Sequence, residues 1–121
     1  MAAQGSAPSP DRGKVYTLLV QVGRSAEDGL PKGATGAALM CYAAGRDEAE
    51  AVRETVALLR DAGLAPLDVT GYGTLAERLA EGHEIAEEET GLMERAAAEN
   101  AVVVAQVTPF FDEPGERSGG A

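Results

Sequence analysis

Four short segments of the chain are rich in apolar residues and bounded by glycine or proline, a pattern typical of β-strands. They are residues 15–22, 37–44, 67–72 and 101–108. The first and the last carry apolar residues on both faces, as where Leu18 points to one side and Leu19 to the other. Pro109 is expected to end the fourth strand, because proline lacks the N–H that a ladder uses.

A helix is predicted between the second and third strands. Asp47 and Glu50 have the spacing of a capping box, in which each side chain bonds the other residue's backbone N–H. Val52 and Leu59 belong to an apolar stripe at helical spacing. Gly63 is expected to end this helix in the left-handed conformation, which glycine adopts at little steric cost.

Two further helices are predicted before the last strand. Thr74 and Glu77 form a second capping-box pair and begin a short helix that ends at Gly82. Residues 85–99 show a second helical spacing. The order β-β-α-β-α-α-β predicts an α+β fold, a two-layer sandwich with a four-stranded sheet, helices on one face and a ferredoxin-like architecture.

The predicted sheet has one face without cover in this arrangement. Helices on one side leave the apolar residues of the other side of the first and last strands exposed. Large exposed apolar surfaces are typical of interfaces or ligand sites. We therefore expect the open face to contact a second copy or to line a ligand cavity, unless that face is merely small and mixed.

Length and charge restrict the function further. The chain has 121 residues and a mass of 12.4 kDa, enough for one domain, expected at 14–111 between disordered tails at 1–13 and 112–121. Its net charge of −10 disfavours binding to nucleic acids and to anionic membranes. A single cysteine and a single histidine exclude disulfides within the chain and cysteine- or histidine-rich metal centres, and no cofactor is expected.

His83 is the candidate catalytic base. It lies between two predicted helices and next to Glu84, and a carboxylate beside an imidazole orients the ring for proton transfer. Tyr72, between two glycines, is a candidate hydrogen-bond donor to a substrate. The alternative is an exposed linker histidine and a tyrosine that packs in the sheet.

Glutamates are concentrated around the start of the third helix. Glu84, Glu87 and Glu88 offer oxygen ligands of the kind that magnesium, manganese or calcium prefer. Acidic residues in a first helical turn are also common because they interact favourably with the helix dipole. A divalent-metal site and a solvated helix start are therefore both compatible with this run.

Three other features each have a structural and a functional interpretation. The glycine-rich loop of residues 24–36, with Lys32, is either a mobile hairpin connection or the cover of a binding site. Cys41 is expected to be a buried structural cysteine rather than a nucleophile. Phe110 and Phe111 suggest either a contact with a partner or a clamp of the chain end onto the core, and the clamp is the expectation.

These observations favour a small, acidic, cytoplasmic binding or accessory protein that acts as a homodimer or as a small subunit of an assembly. A small-molecule ligand is compatible with this hypothesis. The alternatives are a small enzyme that uses His83, Glu84 and Tyr72, and a divalent-metal binder. Cytoplasmic localisation rests only on the absence of a recognisable secretory signal.

Overall fold

The computed structural model describes residues 14–111. The predicted disordered tails, 1–13 and 112–121, lie outside the described residues. Residues 14–111 form an α+β fold with a four-stranded antiparallel sheet and three helices. The elements are β1 Val15–Gly23, β2 Ala34–Ala44, α1 Glu48–Asp61, β3 Ala65–Thr74, α2 Leu75–Ala80, α3 Glu87–Glu99 and β4 Val102–Phe111.

The sheet has the strand order β3-β1-β2-β4. β1 and β2 form a hairpin at the centre, in which Leu18 lies opposite Cys41. β3 and β4 are the two edges, because β3 pairs only with β1 and β4 only with β2. β3 runs parallel to β2, so the segment that contains α1 crosses over β1 to reach the far edge.

Helix α1 covers one face of the sheet. Its buried residues are Ala51, Thr55 and Leu59, which pack against the central strands. Thr55 is tolerated there because its hydroxyl donates to the Ala51 carbonyl at 2.8 Å. The helix ends as predicted: Gly63 has φ +91°, and the Leu64 N–H donates to the Leu59 carbonyl at 2.9 Å.

Helices α2 and α3 cover the opposite face. Met93 and Ala96 of α3 are buried against Val15 and Tyr42, whose side chains point away from α1. The prediction that all helices share one face is therefore wrong, and a two-layer ferredoxin-like architecture does not describe this arrangement of three layers. The physical reason is that both faces of the central hairpin are apolar, and the chain itself supplies cover for each.

β4 is longer than the sequence indicated. It continues through Pro109, which lies opposite Ala37, to Phe111. Proline is accommodated because β4 is an edge strand, where a missing N–H leaves no neighbour unbonded. In the described part of the chain, no helix has the length and apolar character needed to cross a membrane.

Candidate functional site

A polar cluster lies between the sheet and the two helices α2 and α3. Its centre is the guanidinium of Arg78, the side chain of which is 11% exposed. Nη1 donates to the Thr17 hydroxyl of β1 and to Glu89 Oε1 of α3, both at 3.2 Å, and Nε donates to His83 Nδ1 at 3.1 Å. One arginine of α2 therefore joins the sheet, α3 and the connection between the two helices.

Glu89 is the second centre of this cluster. The buried Tyr42 hydroxyl donates to its Oε1 at 2.7 Å. That bond, followed by those from the Ala86 N–H and Arg78, lowers the pKa of Glu89 despite partial burial. Burial, and then the bond to Glu89, raise the pKa of Tyr42 to about 12. The cluster thus holds an ionised carboxylate and a neutral phenol at physiological pH.

The structure brings together two of the three predicted catalytic residues. The rings of His83 and Tyr72 meet edge to face, with centroids 6.4 Å apart. Glu84 makes no hydrogen bond or ion pair within residues 14–111. The nearest carboxylate to the ring is that of Glu81, whose Oε1 lies 3.7 Å from Nε2, beyond a hydrogen bond.

The contact with Arg78 occupies one nitrogen of the imidazole. Nδ1 accepts the Arg78 N–H at 3.1 Å, so its lone pair is directed at the guanidinium. A general base needs a free lone pair that reaches a substrate. In His83 the lone pair is engaged by Arg78, so this arrangement suits a positioned linker better than a base.

Arg78 was missed by sequence reasoning, which assigned no role to any single arginine. One signal was present: Arg78 is the only lysine or arginine between Asp61 and Glu94, a stretch rich in glutamate. A lone cation among carboxylates has strong electrostatic reasons to be paired. Only the folded chain shows that its partner is Glu89 rather than Glu81 or Glu84.

The predicted metal ligands do not converge. Among residues 14–111, no three histidine, cysteine, aspartate or glutamate side chains come together in a group that could hold a metal ion. Glu87 and Glu88 occupy the first turn of α3, and both are exposed. Together with Glu84 they form the acidic helix start that the sequence analysis gave as the alternative.

The glycine-rich loop is braced by its own side chains. Arg24 donates to Asp28 at 2.8 Å and to the Pro31 carbonyl at 3.1 Å. Asp28 also accepts the backbone N–H groups of Ser25 and Leu30. These bonds, the one from Arg24 first, lower the pKa of Asp28 to about 2. The loop is therefore a connection held together by hydrogen bonds among its own residues.

Cys41 has the environment of a structural residue. It is fully buried in the core beneath α1. Burial raises the pKa of its thiol to about 11, so the nucleophilic thiolate is not formed at neutral pH.

Two concave regions lie beside the helices. A groove of about 510 Å³ separates the start of α2 from α3, and its walls include Val15, Leu75 and Met93. A recess of about 450 Å³ lies between α1 and the start of β4, next to Leu58 and Val102. Its lining also includes the α1 carboxylates of Glu50, Glu54 and Asp61, so the recess combines apolar and acidic side chains.

The edge strand β4 carries several exposed apolar side chains. Four of the large apolar side chains that remain exposed belong to it: Val104, Val107, Phe110 and Phe111. Phe110 and Phe111 are 40% and 47% exposed, so the prediction that they clamp the chain end onto the core is wrong. They lie opposite Gly36 and Ala34, which have no large side chain to cover them.

The two edges of the sheet differ in how they discourage pairing. β3 has Pro66, the charged Asp68 and two bulges, at Leu67 and Tyr72, all features that protect edge strands. β4 has one bulge and one proline but no charged residue over its ten positions. In a chain with a net charge of −10, an uncharged edge of this length is the surface best suited to contact another strand.

Comparisons with known proteins give one match. A family model with the description "Domain of unknown function (DUF8846)" matches residues 15–111, which is the whole of the described fold apart from Lys14. No curated protein and no solved structure matches the chain.

Proposed function

We propose that this chain, which belongs to the DUF8846 family of domains of unknown function, is a non-catalytic cytoplasmic binding or accessory protein that acts as a homodimer. The observation that carries the proposal is the β4 edge, which is uncharged over ten residues and carries four exposed large apolar side chains. An edge strand presents unpaired N–H and C=O groups that bind another strand, and exposed apolar side chains add to the contact.

The interface differs from the one that the sequence suggested. Both faces of the sheet are covered by helices of the same chain, so the sheet face is not the contact surface. Pairing along β4 joins two four-stranded sheets into one of eight strands. An isologous contact of this kind closes after two copies and leaves no further β4 edge exposed.

The test is the mass of the whole chain in solution, with one variant on each edge. The wild-type protein is expected to have twice the 12.4 kDa mass of one chain in light scattering after size exclusion and in native mass spectrometry. Val107→Lys places two charges in the contact, one from each copy. Each charge weakens association by about 1.4 kcal/mol or more, or about a hundredfold in Kd for the pair.

Leu67→Lys is the matched control. Leu67, on the β3 edge, is 72% exposed, compared with 47% for Val107. Its replacement by lysine should therefore disturb the fold no more than the replacement of Val107 does. The proposal requires that Leu67→Lys stays dimeric and Val107→Lys becomes monomeric. A wild-type protein that is monomeric at every concentration contradicts homodimerisation. A heteromeric mass from the native host would instead assign β4 to a strand of another subunit.

A second candidate function, a small enzyme, has one supporting observation: Tyr72 and His83 meet at a partly exposed site. The bond from Arg78 to Nδ1 weighs against it. If the site bound a substrate, added ligand would shift the ring resonances of the only histidine of the chain. Loss of a cellular phenotype in both His83→Ala and Tyr72→Phe would favour the enzyme, and no change in either would exclude it.

A further inference from the structure

We propose that two β4 strands pair in a single register, with Val104 of each copy opposite Val107 of the other and the twofold axis between Ala105 and Gln106. This inference rests on the homodimer proposed above and deepens it. It follows from which face of the sheet each β4 residue occupies, and from the position of the bulge in β4.

The pairing of β4 with β2 assigns each residue to a face. Val104 and Val107 lie opposite Cys41 and Leu39, so their side chains are on the side of α1. Two more β4 residues on that side are Val102 and Pro109, opposite Ala43 and Ala37.

The other side of β4 faces away from α1. Val103 and Gln106 lie opposite Tyr42 and Met40, and Thr108 lies opposite Ala38. Ala105 is the extra residue of a bulge, because the register shifts between the neighbours of Met40 and Cys41. The alternation of faces is therefore interrupted once, in the middle of the strand.

A twofold axis restricts the possible registers. Antiparallel partners on opposite strands must point to the same face of the joined sheet, and a slip of one residue reverses this everywhere. With the axis between Ala105 and Gln106, Val104 faces Val107, Val102 faces Pro109 and Val103 faces Thr108, all on matching faces.

Neighbouring registers fail this condition. A slip of one residue brings Val104 opposite Gln106 or Thr108, which point to the other side of the sheet. A slip of two brings Val107 opposite Gln106, or Val104 opposite Ala105, at the centre of the contact. Within two residues on either side, this is therefore the only register in which every pair, the central one included, points to one face. In it the two exposed valines of each copy form two equivalent cross-strand pairs.

In the same register, the end of the partner's β4 lies close to the recess between α1 and the start of β4. Beyond Pro109, the strand of the second copy continues past Val102 towards Ala101, which lines the recess together with Leu58. Phe111 of the second copy, which follows Phe110 and returns to the side of α1, then lies next to this recess. Its side chain, 47% exposed in one chain, gains cover in the pair.

Cysteine cross-linking of the full-length chain tests the register. Gln106→Cys replaces an exposed residue beside the axis and is expected to form a disulfide-linked dimer under mild oxidation. Leu67→Cys, on the β3 edge and also exposed, is the control and is expected to remain unlinked. The native Cys41 does not interfere, because it is fully buried.

A pair of double variants separates this register from its neighbours. Val104→Cys with Val107→Cys is expected to link nearly all dimers, because directly opposite Cβ atoms lie within reach of a disulfide. Val104→Cys with Thr108→Cys, which matches a slip of one residue, is expected to link at least tenfold more slowly. Residues 104 and 107 of one strand are too far apart to join each other.

The outcomes are distinct. A dimer in which the 104/108 variant links faster, or in which neither Gln106→Cys nor the 104/107 variant links, overturns the register and leaves the homodimer standing. A monomeric wild-type protein overturns both. Circular dichroism of each variant confirms folding, and the surface variant Gln106→Cys keeps the test valid if a double variant unfolds.

Discussion

Replacing Arg78 by methionine is expected to lower the free energy of unfolding substantially. Methionine keeps a similar unbranched stem and removes only the guanidinium, so the change isolates the polar contacts. Three contacts disappear together: those to Thr17, Glu89 and His83. The Thr17 hydroxyl is 1% exposed and has no solvent to replace the lost donor.

The magnitude follows from these contacts. The pair with Glu89 is partly exposed, with 11% and 29% of the two side chains accessible, and contributes about 1 kcal/mol after solvent screening. The bonds to Thr17 and His83 contribute about 1 kcal/mol each. The expected loss is therefore about 3 kcal/mol, or a fall in Tm of roughly 12–24 °C for a domain of this size.

Urea denaturation followed by circular dichroism measures this loss, at one protein concentration because association also affects stability. Arg95→Met is the matched control: Arg95 pairs with Glu99 at 3.5 Å, and both side chains are more than half exposed. Its effect is expected to stay within about 0.5 kcal/mol. If Arg78→Met destabilises the protein no more than Arg95→Met, the cluster does not anchor α2 as described.

A lysine at the same position separates charge from geometry. Arg78→Lys keeps the positive charge but loses the planar arrangement of donors that reaches three acceptors at once. We expect it to recover less than half of the stability that Arg78→Met loses. Full recovery by lysine would show that only the charge matters.

Two further predictions concern buried titratable groups. Because the pKa of Tyr42 is about 12 in the fold and about 10 when unfolded, its neutral form stabilises the protein below pH 10, and this contribution is lost as the pH rises from about 10 to 12. The unfolding free energy of Tyr42→Phe should therefore decline less steeply than that of the wild type across this pH range. Some decline remains, because burial also raises the pKa of Tyr16. Equal slopes in the two proteins would contradict a raised pKa for Tyr42. Cys41, with a thiol pKa of about 11, is expected to react with an aromatic disulfide reagent only as fast as the fold opens. A reaction as fast as that of a free thiol would contradict the burial of Cys41.

The helix ends were within reach of sequence reasoning because their signals are local. Asp47 accepts the Glu50 N–H at 2.8 Å as predicted, but the Glu50 carboxylate accepts the Arg46 N–H instead of completing the capping box. Thr74 and Glu77 do form a reciprocal capping box. Gly63 adopts the left-handed conformation that its place after an apolar stripe indicated. Each of these contacts spans only a few residues, so the residue types and their spacing are sufficient to predict them.

Other features depended on residues distant in sequence. Arg78 meets Thr17 across 61 positions, and Tyr42 meets Glu89 across 47. No spacing rule selects these partners, because the crossovers of the chain determine which side chains meet. For the same reason the sequence suggested Glu84 as the partner of His83, whereas the fold places Arg78 there.

By itself, the sequence indicated that the first and last strands are apolar on both faces, and it led to the expectation that the face without helices also needs cover. Alternation along a strand shows which residues share a face, since this depends only on the backbone pleat. It does not show on which side of the sheet each connecting helix lies. The tertiary structure decided that α1 takes one face and α3 the other. The surface that lacks cover is therefore the β4 edge and not a face of the sheet. Its backbone groups and valines are left without a neighbouring strand, because the described residues form no fifth strand.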